Sequence, residues 1–311
     1  MPSVTRPTAS LAPLVCVIAG MPGVGKTRLA VRTAHEITQR QLHDEVQLFA
    51  DLHGVSSGGE PRDSALVLDG FLRMLGVVAE EIPDSVEDRA SMYRDRWHGR
   101  PSLVVPDDAA GAGHVLPPLP ASPASLVLIT SRRSTFDLDG AKVLPLAPFT
   151  TQESVTLLKR VTGERVAAER ANAELIADLC GGLPLAVGPA AMRLRNRPLW
   201  RPTDLVDRLT PTAARLGQLA LGGRAVRAEF DASYNRLPPS QQRMLRLLAE
   251  APTPGFEPDA VAVAVASGVA PHQAEELLER LLDECLVQPT SSHRYRLHEL
   301  MRVYAENAGA T

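Results

Sequence analysis

A chain of 311 residues is long enough for two or three domains with cores of their own. With 44% hydrophobic and 22% charged residues it has a globular make-up, and a net charge of −3 supplies no global field to attract nucleic acid. No run reaches the length of a membrane span and the first residues lack a signal peptide's apolar stretch; Cys16, Cys180 and Cys285, far apart in apolar surroundings, read as reduced core residues, so cytoplasm is the expected compartment.

Residues 1–13 read as a flexible lead. Leu14 to Ala19 is apolar throughout, with β-branched Val15, Val17 and Ile18, and predicts a strand buried on both faces of a parallel sheet. Gly20-Met21-Pro22-Gly23-Val24-Gly25-Lys26-Thr27 then fits G-x-x-x-x-G-K-[ST] at every fixed position, with Arg28 following inside a helix expected from Thr27 to Arg40. Glycines let successive backbone N–H groups converge on phosphate oxygens at the positive end of that helix. Lys26 would reach the β and γ phosphates, and the Thr27 hydroxyl would ligate Mg²⁺. Lys26 is one of only three lysines, with Lys142 and Lys159, in a chain that otherwise takes positive charge from arginine. A point charge on a flexible stem suits a phosphate cradle better than arginine's fork does.

Val46 to Leu52 predicts a second strand, and the Gly- and Ser-rich stretch from Val55 to Asp63 a loop. Leu68, Phe71, Leu72 and Leu75 mark an amphipathic helix that stops near Gly76, and another helix is expected from Val86 to His98. Leu103-Val104-Val105-Pro106-Asp107-Asp108 is an apolar strand ending in paired acids. There Asp107 would hold magnesium through water and Asp108 would orient or deprotonate the attacking water. Pro106 removes a ladder hydrogen bond, so the strand is expected to end a residue early and shift Asp107. Ser125 to Thr130 is a further buried strand that delivers Arg132 and Arg133 to the same edge, where Arg132 would sense a γ phosphate; Val143 to Leu146 closes the sheet.

From Phe149 the pattern turns helical, with a capping box at Thr150 and Glu153. A helix over Glu174 to Leu179 is halted by Cys180-Gly181-Gly182, and Pro184 opens the next. The arginines at 193, 195, 197 and 201 read as a solvated helix end, and the breakers from Pro198 to Pro211 as the approach to a domain boundary near Gly222-Gly223. Helices are expected around 225–235, 239–250, 258–268 and 271–283. Two short strands, Leu286 to Gln288 and Tyr295 to Leu297, flank a polar turn from Thr290 to His293, and a closing helix starts near His298. Helices followed by a small hairpin suggest a winged-helix unit.

AGMPGVGKTRLA, LVVPDDA, LVLITSRR, CGGLPLAV and YRLHELMRVYA, in that order, make the chain resemble the NB-ARC group of STAND-type signalling ATPases, and within it the version carried by actinobacterial SARP-type regulators of antibiotic production. The resemblance implies an α/β P-loop NTPase domain with a parallel sheet over 14–147, a helical domain over 148–222 and a winged-helix domain over 223–311. It gives Pro184 a place against the adenine and His298 a contact with the β phosphate of ADP. Glu299 departs from the family's usual aspartate, and no Gly-Arg-Glu type motif precedes Leu14.

The function expected is an ATP/ADP switch with slow, regulatory ATP hydrolysis. ADP would favour a closed state, ATP and Mg²⁺ an open, self-associating one, and an effector or DNA-binding module would lie elsewhere or act in trans. A winged-helix DNA-binding regulator with a nucleotide sensor is the alternative, although Asp283, Glu284, Glu299 and Glu306 surround the arginines that would touch DNA. A P-loop kinase for a small metabolite is a further one, with no use for the C-terminal half.

Overall fold

A computed structural model of the chain describes residues 12–40, 46–54, 61–97, 100–222, 225–250, 257–291 and 293–308. The lead before residue 12, most of the loop expected from Val55, the Gly223 side of the expected boundary, His98 and Ser292 lie outside the described residues. The chain divides into two units. One gathers the described residues of Met1–Ala19 with Lys26–Pro145, and the other Gly20–Gly25 with the described residues of Leu146–Thr311.

The first unit is a parallel sheet with helices. Its strands are β1 (Leu14–Ala19), β2 (Val46–Asp51), β3 (Ser102–Asp107), β4 (Leu126–Ser131) and β5 (Lys142–Pro145), in the order β2-β3-β4-β1-β5. Val17, Val104, Val127 and Ile129 of the central strands are fully buried, as two-sided cover demands of β-branched and aliphatic runs. The helices Ser64–Met74 and Val86–Arg96 bring Phe71 and Tyr93 into stacked contact, ring centroids 5.8 Å apart, with Trp97 edge-on to Tyr93 at 5.9 Å.

Pro106 does not end its strand early. Pairing with β2 continues through Ala50 opposite Pro106 and Asp51 opposite Asp107, so Asp107 keeps its place in the strand. The reason lies in the alternation of a parallel ladder. The Asp107 carbonyl accepts from Leu52 N–H on the β2 side, which turns the Pro106 nitrogen toward β4, and the residue pairs of the β3–β4 ladder are Leu103 with Leu126 and Val104 with Val127, both before the proline.

The second unit opens with the helix Thr151–Thr162, whose capping box has both arms: Glu153 N–H donates to Thr150 Oγ1 at 3.2 Å and Thr150 N–H to Glu153 Oε2 at 2.8 Å. Arg170–Leu179 and Pro184–Arg195 follow, the latter with proline at its first position. The stretch read as breakers, Pro198 to Pro211, contains the helix Pro202–Leu209, and the helix Thr212–Gln218 begins directly after it. Its prolines bracket these helices and do not interrupt them, since Pro202 stands where no intrahelical N–H is needed. Nor is the arginine run wholly solvated, because Arg193 is half-buried and donates to the Ala220 carbonyl at 3.2 Å.

Four more helices, Val226–Tyr234, Pro239–Ala249, Ala260–Ser267 and Pro271–Asp283, precede the antiparallel pair β6 (Val287–Ser291) and β7 (Arg294–Leu297) and the helix Glu299–Asn307. One apolar cluster runs through this unit from Leu158 to Ala305 and takes in Met21 and Val24 of the glycine loop.

Candidate nucleotide site

In the first unit, β1 hands the chain to the glycine loop and the helix Lys26–Gln39 begins directly after it. Lys26 is buried and Thr27 and Arg28 are exposed. The Thr27 hydroxyl donates to Asp107 Oδ2 at 3.0 Å, and Thr130, near the end of β4, donates to the other oxygen at 2.6 Å. Thr130 also accepts Asp108 N–H at 2.9 Å, and Ala109 N–H donates to its carbonyl at 2.8 Å, so the ends of β3 and β4 are held together by backbone and side chain alike. Burial raises the Asp107 carboxyl above the usual range; the two threonine hydroxyls oppose the shift, and the charges of Asp51 and Asp108 add to it. An added cation would reverse that balance. Asp108, at φ 54°, accepts from Arg132 Nε at 3.3 Å in a buried ion pair. The sequence reading missed Thr130, whose one signal was its position one residue before the Ser-Arg pair.

In the second unit, Gly23 and Gly25 of the loop adopt φ 80° and 102°, conformations that side chains rarely take. The Gly23 carbonyl accepts from Leu185 N–H at 3.2 Å, and a Cβ on Gly25 would stand 3.8 Å from Pro184 Cγ. Gly20, Pro22 and Val24 complete the loop, with Met21, Pro22 and Val24 buried. The apolar positions of the motif, silent in the pattern G-x-x-x-x-G-K-[ST], thus fix the loop to the turn that carries Pro184.

His298 caps the helix Glu299–Asn307. Its Nδ1 accepts Leu300 N–H at 3.2 Å, which leaves the proton on Nε2, and Nε2–H donates to the Gly181 carbonyl at 2.7 Å. The approach is close enough that a Cβ on Gly181, at φ 58°, would lie 2.4 Å from His298 Cε1. Both ring nitrogens are therefore engaged within the chain, and the acceptor of Nε2–H belongs to the turn leading to Pro184.

Burial pushes the His298 imidazole below its ordinary value; the Gly181 bond and Glu299 oppose the shift, and Arg296 adds to it. The unfolded chain therefore takes up this proton first as pH falls below about 6.5. Stability is present above that value and is lost as pH falls toward the folded-state pKa. Urea melts of the nucleotide-free protein across pH 5 to 7.5 should show this slope, and His298→Gln should flatten it.

Glu299 is held by Arg215 Nη1 at 2.8 Å and by Arg302 Nε at 3.2 Å. Burial opposes its ionisation, but Arg302 and Arg215 outweigh it and keep the carboxyl below its usual range. Arg215, itself buried, also donates to the carbonyls of Leu209 at 2.8 Å and Thr210 at 3.2 Å. Nothing in the local sequence marks Arg215, because both carbonyls and the carboxylate come from other elements.

No family model matches the chain. It is 39% identical over 292 residues to Regulatory protein AfsR of Streptomyces griseus, and 39% identical over 292 residues to the protein of that name from Streptomyces coelicolor. The match takes in 94% of this chain and 29% of each relative, so the chain spans less than a third of their length. Among solved structures, the Walker-type ATPase PABY2304 of Pyrococcus abyssi superposes with a TM-score of 0.59 at 13% identity, covering 94% of this chain and 91% of that one. The chain shares its fold with a Walker-type ATPase. That settles the mixed α/β class of the phosphate-loop half, with the five-stranded parallel order described above. No helix among the described residues is long and apolar enough to cross a membrane.

Proposed function

We propose that the chain is an ATP/ADP-dependent switch, the NB-ARC-type module of a regulator, that hydrolyses ATP slowly. The observation that carries this is the Thr27–Asp107 hydrogen bond, which joins a phosphate-loop hydroxyl to a strand-end carboxylate. A hydroxyl and a carboxylate beside a phosphate cradle form the donor set that a largely hydrated magnesium ion takes, and among the described residues no cluster of three His, Cys, Asp or Glu competes for it. Magnesium there would neutralise phosphate charge. In this reading Gly20, Pro22, Gly23, Val24 and Gly25 shape the cradle, Lys26 pairs with the phosphates, Arg28 flanks them, and Thr27 and Asp107 hold the ion.

A γ phosphate would compete with Asp108 for Arg132, so binding of ATP loosens a buried ion pair and frees Asp108 to orient water. Pro184 would lie against the adenine. His298 Nε2–H, which rests on a neutral backbone carbonyl, would pass to a charged oxygen of ADP, a stronger acceptor, and this difference between the two nucleotides would shift the equilibrium. We further assign residues 148–222 to a helical domain and 223–311 to a winged helix, with self-association in the ATP state and the effector or DNA-binding part supplied from elsewhere. The kinship with AfsR supports the regulatory setting.

Denaturing the purified protein and resolving the supernatant by ion exchange tests the reading. Released ADP or ATP, or uptake of either by the emptied protein, is expected. A protein that carries neither and binds neither overturns the proposal.

A further inference from the structure

The second unit carries a crowded positive surface that its own chain does not neutralise. Arg197 and Arg208 place their guanidinium carbons 4.6 and 4.4 Å from the centroid of the Trp200 ring. Arg165 donates to the carbonyls of Leu194 and Pro198 on the same turn. Burial and the like charges of Arg197 and Arg208 hold the Arg193 guanidinium below its ordinary value, a sign of their closeness. Among the described residues none of these four arginines has a carboxylate in ion-pair range. Of the acids close by in sequence, Asp204 accepts Arg201 N–H at 2.7 Å and Glu164 pairs with Lys159 at 3.1 Å. At the tip Leu199 is 95% exposed.

The first unit carries the opposite. Glu80, Glu81, Asp84, Glu87 and Asp88 fall within nine residues, all exposed, and among the described residues none has a cationic partner in ion-pair range. Arg73, which Glu80 influences, already pairs with Asp69 at 2.7 Å. Val78 and Met74 beside this segment are 54% and 63% exposed, which gives Leu199 apolar surface to meet.

We propose that the arginine surface around Trp200 of one copy docks on the acidic segment 80–88 of a second copy. Such a contact joins two different patches, so it is head-to-tail and propagates to rings or short filaments. A nucleic acid fits less well, because the Trp200 ring is already engaged by two guanidiniums and the net charge of −3 gives no long-range attraction. The contact gives surfaces to the self-association named above, yet it needs no nucleotide to be formed.

Sedimentation velocity on the full chain, over a concentration series at low and high salt and with ADP or ATP, is the test. The wild type should associate with rising concentration and dissociate with salt. Arg197→Glu with Arg208→Glu, and separately Glu80→Lys with Glu81→Lys, should each weaken association at least about tenfold. Mixing the two variants in equal amounts should restore it, since each then meets its opposite. Leu199→Asp, which touches a fully exposed side chain and leaves the fold alone, should weaken it as well. A wild type that stays monomeric throughout, variants that associate like it, or a mixture that fails to recover overturns the proposal. Nucleotide binding measured on the same samples separates this failure from that of the switch.

Discussion

Lys26→Ala should weaken binding of both ADP and ATP by about 100-fold or more. The side chain is buried at the first position of its helix, where in the proposed site its ammonium and the helix's N–H groups would meet the same phosphates. Removing one partner of a buried, hydrogen-bonded charge pair costs roughly 2–5 kcal/mol, and about 1.4 kcal/mol is a factor of ten. Lys26→Arg should not restore affinity, because a planar fork cannot occupy the place of a point charge. Titration with a fluorescent ADP and ATP, alongside circular dichroism to show that the variants fold, measures this. Binding by the Lys26→Ala protein within about threefold of wild type would remove the phosphate-loop assignment; a threefold change is only about 0.65 kcal/mol.

Arg215→Ala should destabilise the C-terminal half by about 2–3 kcal/mol in urea unfolding. Three acceptors lose their donor at once: the carbonyls of Leu209 and Thr210 and the carboxylate of Glu299. Breaking a buried pair costs about 3–5 kcal/mol, and the figure is reduced here because Glu299 is 29% exposed and keeps Arg302. Glu299→Gln should cost less, since Arg215 retains its two carbonyls. The double variant should fall well short of additive, which a mutant cycle reports as coupling. A loss below about 0.5 kcal/mol for Arg215→Ala, typical of an inert surface site, would contradict the account. Glu299 adjoins His298 and lies in the first turn of the helix that His298 caps, so the same pair sets the register of that histidine.

The sheet was legible because its signals are local. β1 and β4 are continuous apolar runs bounded by turns, and both strands match the spans expected to within a residue. The capping box at Thr150 and Glu153 is likewise written in four consecutive residues. Pro106 misled because a ladder has two sides, and only the register shows that the side lacking an N–H faces the shorter pairing. The helix Pro202–Leu209 was hidden because its prolines stand at edges, where they are compatible with helix. The pairing of Thr130 with Asp107 and of Arg215 with Glu299 was not legible, since these carboxylates lie 23 and 84 residues away in sequence. The motif residues Lys26, Thr27 and Asp107 were readable one by one; that Thr27 and Asp107 share a hydrogen bond was not.

In the proposed switch His298 reads which nucleotide the loop holds. Its Nε2–H now rests on the Gly181 carbonyl, and a diphosphate would have to win it from there. The direct measurement is the ratio of ADP to ATP affinity, by competition titration, in the wild type and in His298→Ala. One charge-assisted hydrogen bond is worth about 1.5–3 kcal/mol, so the preference for ADP should fall by about tenfold or more while binding of ATP stays nearly unchanged. An unaltered ratio, with both affinities intact, would contradict the account.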